Sequence, residues 1–125
     1  MTENELATII VDAAFKVHTT LGPGLLETVY QAALGYELEK RGLRVVQERG
    51  IPAVYEEVRL ELGFRADIIV ENKVIIEVKS IEALAPVHGK ILLTYLRLTD
   101  LRLGLLINFN VALIKDGIRR VVNDL

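Results

Sequence analysis

The residues best able to do chemistry lie between Asp67 and Lys79, in the segment DIIVENKVIIEVK. Leading into it and through its start, Val58, Leu60, Leu62, Phe64, Ala66, Ile68 and Val70 are apolar on even positions; after Glu71-Asn72-Lys73, Val74, Ile76 and Val78 resume the same parity. A hairpin that keeps both apolar rows on one face needs an odd number of loop residues, and those three supply it. That register sets Asp67 across from Glu77, with Lys79 two residues on and Arg65 opposite Lys79. Two carboxylates and a lysine on adjacent strands suit metal-assisted phosphodiester hydrolysis. Carboxylate oxygens match Mg²⁺ (or Mn²⁺); Mg²⁺ keeps several waters and takes one or two protein carboxylates plus substrate phosphate. The ion would lower the pKa of a bound water, and the ammonium would stabilise growing negative charge. Asp67 and Glu77 would then be ligands and Lys79 the cation.

A plainer reading competes. The polar face of a half-buried hairpin is commonly wet, and Asp67, Glu77, Arg65 and Lys79 would form cross-strand ion pairs worth ~0.2–1 kcal/mol each. Ile69 and Ile75 fall on the same face, which implies that something covers it. Charges under a cover are costly unless they are paired or bind an ion.

The elements that must position this hairpin are also visible. Thr2 and Glu5 fit a capping box, and Leu6, Ile10, Ala13, Ala14, Val17 and Leu21 recur at helical spacing up to the stop at Gly22-Pro23-Gly24. A second helix is expected from Leu25 to Arg41, with Leu26, Val29, Ala33 and Tyr36 on one face and Gly42 just past its end. Val45-Val46 and Ile51 to Tyr55 read as short strands around a break at Gly50-Ile51-Pro52. Beyond the hairpin come a helix from Val87 to Leu98 and a buried strand from Leu103 to Ile107. A last hairpin is expected between Val111–Lys115 and Ile118–Val122, turning at Asp116-Gly117. This order predicts an α/β (α+β) domain, a mixed sheet flanked by helices.

With 125 residues, the chain is expected to form a single domain over residues 1–125, and with no cysteine it excludes disulfide scaffolds, thiolate nucleophiles and sulfur-ligated metals. Any metal must therefore be a hard, oxygen-bound one. No apolar stretch reaches the ~20 residues of a membrane helix and the first residues are acidic, so the expectation is no membrane and a cytoplasmic location. The net charge of −2 argues against a phosphate-rich partner, but it is uneven. Residues 1–63 carry 6 basic and 10 acidic side chains, and residues 64–125 carry 9 and 7. Walker, GxSxG, HExxH and GxGxxG motifs are absent.

The string FRADIIVENKVIIEVKS places nine residues between Asp67 and Glu77-x-Lys79, and so resembles the D-x(n)-E-x-K core of the PD-(D/E)xK nuclease superfamily. GPGLLETVYQAALGYELEKRGL, with Gly24, Glu27 and Tyr30, and LGLLINFNVALIKDGIRRVV near the end extend the likeness. Together these resemble the GxxExxY family of small prokaryotic proteins, assigned to that superfamily, over roughly residues 5–122. The resemblance implies a restriction-endonuclease-like core with Asp67 and Glu77 holding a divalent metal, the Val78 carbonyl adding a ligand and Lys79 assisting catalysis. It also implies that Glu27 reaches over the sheet towards the metal, which would account for the cover above Ile69 and Ile75. From its position alone, Glu27 is a first-turn carboxylate favoured by unpaired N–H groups, and Tyr30 is a packing aromatic on the same helical face.

One departure stands out. Members of that family read approximately V-H-x-x-Q-L-L-x-Y-L, and here the glutamine position is Ile91, so a hydrogen-bonding group is missing beside the site. The remaining candidates for substrate contact are His88, Arg65, Tyr30 and Tyr95. Each has an ordinary structural alternative: a satisfied histidine, a solvated charge, a packed ring. Nucleic acid, DNA or RNA, is the expected partner, with Lys79, Lys90, Arg97, Arg102, Arg119 and Arg120 available along one edge. A nuclease-fold module that binds or assembles without cutting is the alternative. A homo-oligomer formed through a sheet edge is also compatible with the sequence.

Overall fold

A computed structural model describes all 125 residues. The chain runs α1 (Glu3–Leu21), α2 (Glu27–Lys40), β1 (Val45–Tyr55), β2 (Val58–Val70), β3 (Val74–Lys79), α3 (Pro86–Thr99), β4 (Leu103–Asn108), a 3₁₀ turn (Ile114–Gly117) and β5 (Ile118–Val122). The five strands form one sheet in the order β1-β2-β3-β4-β5. Only β3 and β4 are parallel. A parallel pair needs a crossover, and α3 provides it. The result is a mixed sheet with helices on both faces, as the pattern of elements predicts.

Each face has its own core. Leu6, Ile10, Ala14, Leu34 and Leu38 of α1 and α2 pack with Ile68, Val70, Val74, Ile76 and Val78. Leu92 and Leu96 of α3 pack on the other face with Ile69, Ile75, Leu106, Phe64 and Ala66. The cover above Ile69 and Ile75 is therefore α3, not the helix carrying Glu27. Thr2 and Glu5 form the expected capping box, with the Glu5 N–H donating to Thr2 Oγ1 at 3.1 Å and the Thr2 N–H to Glu5 Oε1 at 2.9 Å. The three-residue β2–β3 loop is also as predicted, since Val70 pairs with Val74 and Ile68 with Ile76.

Four expectations need correction. In α2 the buried face carries Tyr30, Leu34 and Leu38, whereas Leu26, Val29 and Tyr36 are exposed. Apolar side chains lie on both stripes of this helix, so spacing alone did not choose between them. The two short strands around Pro52 are one strand, β1, and the break is absorbed by a register shift between Ile51 and Ala53. The hairpin at Asp116-Gly117 does not form. Gly117 instead sits against β4, where an added Cβ would stand 2.1 Å from the Asn108 carbonyl oxygen, and β5 pairs directly with β4. Finally, the even positions of β2 do not share one face: Phe64 and Ala66 join the α3 core, and Ile68 and Val70 join the α1–α2 core. The side-chain alternation therefore breaks around Asp67.

Candidate metal centre

The break at Asp67 coincides with the parting of β2 and β3. Their backbone ladder covers Val70↔Val74, Ile69↔Ile75 and Ile68↔Ile76. One step further, side chains take over. The Asp67 N–H donates to Glu77 Oε2 at 3.0 Å, and the Val78 N–H donates to Asp67 Oδ2 at 2.9 Å. Each carboxylate spends one oxygen on the facing strand's backbone and keeps its second oxygen outside these bonds. Beyond this point β2 continues with β1 alone, so Arg65 pairs with Gly50 and is exposed rather than lying opposite Lys79.

Glu77 is only 8% exposed, and Asp67 is half-buried. Burial, followed by the Asp67 charge, pushes the Glu77 carboxyl up to about 8. The Asp67 N–H and Lys79 pull the other way. Burial also raises Asp67, against the hydrogen bond from Val78; Glu48 raises it further and Lys79 lowers it. Two carboxylates sharing a desolvated site cannot both ionise cheaply without a cation. The donor set is two hard oxygens, which fits a Mg²⁺-type ion that fills its other positions with water and phosphate. No cluster of three or more histidine or carboxylate side chains able to hold a metal occurs.

Lys79 ends β3, half-buried and without an ion-pair partner. Its carbonyl accepts from the Phe109 N–H at 2.9 Å, and its strand partner is Asn108. Asn108 is buried and organises the following loop, its Oδ1 accepting from Ile81 N–H and its Nδ2 donating to the Ile81 carbonyl. Val78, between Glu77 and Lys79, is fully buried.

Glu27 is not brought into contact with the pair. It is the first residue of α2, exposed, and lines an open cleft with Leu25, Ser80 and Asn110 at the end of β3. Tyr30 is fully buried: its hydroxyl donates to the Gly22 carbonyl at 2.5 Å and accepts from the Leu25 N–H at 3.0 Å, and its ring stacks on Phe109. It fastens the α1–α2 connection. The His88 ring caps its own helix, Nδ1 accepting from the Ala85 N–H at 2.8 Å. Tyr95 does lie at the site. Its ring stacks on Phe64 at 3.8 Å between centroids, and burial with the nearby Glu77 and Asp67 charges raises its hydroxyl pKa. Ile91, one turn earlier on α3, is 41% exposed.

Two residues at the site carry no periodic signal in the sequence. Gln31, buried on α2 one turn after Glu27, donates to the Asp67 carbonyl at 3.2 Å and to Glu48 Oε1 at 3.0 Å. Glu48 interrupts β1 with a φ of +54° between the pairs Gln47↔Ile68 and Arg49↔Ala66, level with Asp67. The other non-glycine residues with such a φ, Glu56, Glu71, Asn72, Asp100 and Asp124, lie in turns or at element ends, whereas Glu48 holds it inside a strand.

A mixed sheet between helices, with an aspartate and an E-x-K strand meeting where two strands part, is the restriction-endonuclease-like arrangement. Residues 4–121 match the PD-(D/E)XK nuclease superfamily, and the chain belongs to it. No match is found among curated proteins or among solved structures.

Proposed function

We propose that the protein is a metal-dependent nuclease that hydrolyses phosphodiester bonds in DNA or RNA. The observation that carries this reading is the reciprocal pairing of Asp67 and Glu77 at a buried opening in the sheet, in a chain of the PD-(D/E)XK superfamily. Asp67 and Glu77, with the Val78 carbonyl, would hold Mg²⁺ or Mn²⁺, and Glu27 would approach from the start of α2. When bound, the ion supplies an acidified water and polarises the phosphate. The chain's own residues do the rest. The Val78 and Asp67 N–H groups fix the carboxylates, Lys79 offers an unpaired ammonium to negative charge on the phosphate, and α3 keeps one side of the site dry through Leu92, Leu96 and Tyr95. The motif GPGLLETVY supports the finer resemblance to the GxxExxY proteins.

The test is cleavage of plasmid DNA, single-stranded oligonucleotides and structured RNA by purified protein with Mg²⁺ or Mn²⁺. Cutting that stops in EDTA and is lost in Asp67→Ala and Lys79→Ala is expected. No cutting of any substrate, or cutting unchanged in both variants, sinks the enzyme reading. Ile91, an exposed apolar residue beside Tyr95 on α3, favours a second reading, a nuclease-fold module that binds nucleic acid without cutting it. Salt-dependent binding without cleavage would be its signature.

A further inference from the structure

Asp67 is held in the sheet in an unusual way, because both of its main-chain polar groups are served by side chains. Its N–H donates to Glu77, and its carbonyl accepts from Gln31. The neighbouring pairs, Gln47↔Ile68 and Arg49↔Ala66, are ordinary ladder positions. At Asp67 itself the partner strand is kinked by the positive φ of Glu48. Gln31 reaches this level of the two strands from α2. Its amide nitrogen lies 3.2 Å from the Asp67 carbonyl, 3.0 Å from Glu48 Oε1 and 3.3 Å from Gln47 Oε1. The carbonyl and the carboxylate are acceptors only, so the amide must present its NH₂ end to them. The next residue on this stripe, one turn on, is Gly35, which lies against the amide end of the Gln47 side chain. A Cβ there would stand 2.1 Å from Gln47 Nε2.

We infer that Gln31 is a positioning residue: from α2 it fixes the backbone of Asp67 and holds the Glu48 carboxylate beside it, so that the Asp67 side chain meets a divalent cation in one geometry. The inference rests on the reading of Asp67 as a metal ligand. Gln31 is neutral and touches Asp67 only through its backbone, so it acts on the site by placement. A glutamate at position 31 would set a carboxylate against a carbonyl and another carboxylate, and a hydrophobic side chain would leave the Asp67 carbonyl without this donor. Outer partners of metal ligands commonly change metal affinity or activity by ~10–100-fold.

The experiment measures Mn²⁺ affinity by electron paramagnetic resonance, well below the melting temperature, together with kcat and KM on a cleaved oligonucleotide. Gln31→Met keeps length and removes the N–H donors. It is expected to weaken Mn²⁺ binding about tenfold or more and to lower kcat, with KM within about twofold of wild type. Gln31→Asn, one methylene too short to reach Asp67, gives the same direction and serves if the Met variant does not fold. Mn²⁺ affinity within about twofold of wild type in a folded Gln31 variant, whatever its melting temperature, overturns the inference alone. Wild-type protein that binds no Mn²⁺, or binds it equally well as Asp67→Ala, overturns the metal reading and the inference with it.

Discussion

Asp67 and Glu77 replace one rung of the β2–β3 ladder with their side chains, each carboxylate receiving a backbone N–H from the facing strand. Two acidic groups are thereby locked a short distance apart in a place where water is scarce. The backbone bonds hold the geometry, while burial and mutual repulsion raise both carboxyls and Lys79 offsets this only in part. In the proposed nuclease a divalent cation would relieve this repulsion between the two carboxylates.

The first prediction concerns pH. Glu77 is raised from its ordinary 4.5 to about 8, and Asp67 moves in the same direction. A carboxyl raised on folding favours the protonated folded state. Its stabilising contribution is full below 4.5 and is lost as pH rises through about 8. Metal-free protein should therefore melt progressively lower between pH 5 and pH 9, by an amount corresponding to a few kcal/mol. Glu77→Gln should flatten that slope, and Mg²⁺ should stabilise wild type more at pH 8.5 than at pH 5. Melting curves in EDTA with the same slope in wild type and Glu77→Gln would contradict this.

The second separates fold from charge at Asp67. Asp67→Asn keeps an oxygen for the Val78 N–H, whereas Asp67→Ala leaves that buried donor unpaired at a cost of about 1–3 kcal/mol. The Asn variant should melt near wild type and cleave at least ~100-fold more slowly; the Ala variant should lose both stability and activity. Calorimetry and an initial-rate assay read the two effects independently. An Asn variant that cuts at the wild-type rate removes Asp67 from the metal site.

Much of this site could be read from residue types because its logic is local. The shared parity of Ile68 and Val70 with Val74, Ile76 and Val78 set the three-residue loop, and the loop brought Asp67 to Glu77; the even positions before Asp67 do not follow it. What escaped was set by contacts distant in sequence. The strand alternation fails at Asp67, level with the positive φ of Glu48 on the neighbouring strand, and nothing in the sequence around Glu48 announces that φ. Gln31 looks like any helix glutamine until α2 docks on β1. The buried face of α2 could not be chosen from spacing, since apolar residues occupy both stripes. Asp116-Gly117 has the composition of a hairpin turn, but its glycine meets a need for close approach to the Asn108 carbonyl. Composition reports that a glycine is required, not which of its properties is used.

The third prediction addresses the β1–β2 ribbon, which from Arg65 outward has no third strand. The ribbon is tied to α3 by the stack of Phe64 on Tyr95, with 3° between the ring planes, and by Ile51 in the same core. Phe64→Ala should cost about 3–5 kcal/mol as a buried aromatic truncation and should expose residues 50–63 to limited proteolysis before the rest of the chain unfolds. Tyr95→Phe keeps the ring and should leave both properties near wild type. Equal protease resistance in Phe64→Ala and wild type would show that the ribbon is anchored elsewhere.

The last prediction uses the departure on α3. Ile91 is 41% exposed, so replacing it with glutamine gives up little buried apolar surface, and the two residues differ modestly in helix propensity. The melting temperature of Ile91→Gln should therefore stay within a few degrees of wild type, corresponding to less than about 1 kcal/mol. The new amide sits one turn before Tyr95, whose hydroxyl pKa is raised by burial and by the Glu77 and Asp67 charges. In the proposed nuclease this amide would donate a hydrogen bond to a phosphate oxygen, a contact that Ile91 lacks. Cleavage by Ile91→Gln should rise severalfold at saturating Mg²⁺, with wild type slower or silent on the same substrate. An unchanged rate would mean that this turn of α3 does not face the reacting phosphate, and that activity is set by Asp67, Glu77 and Lys79 alone.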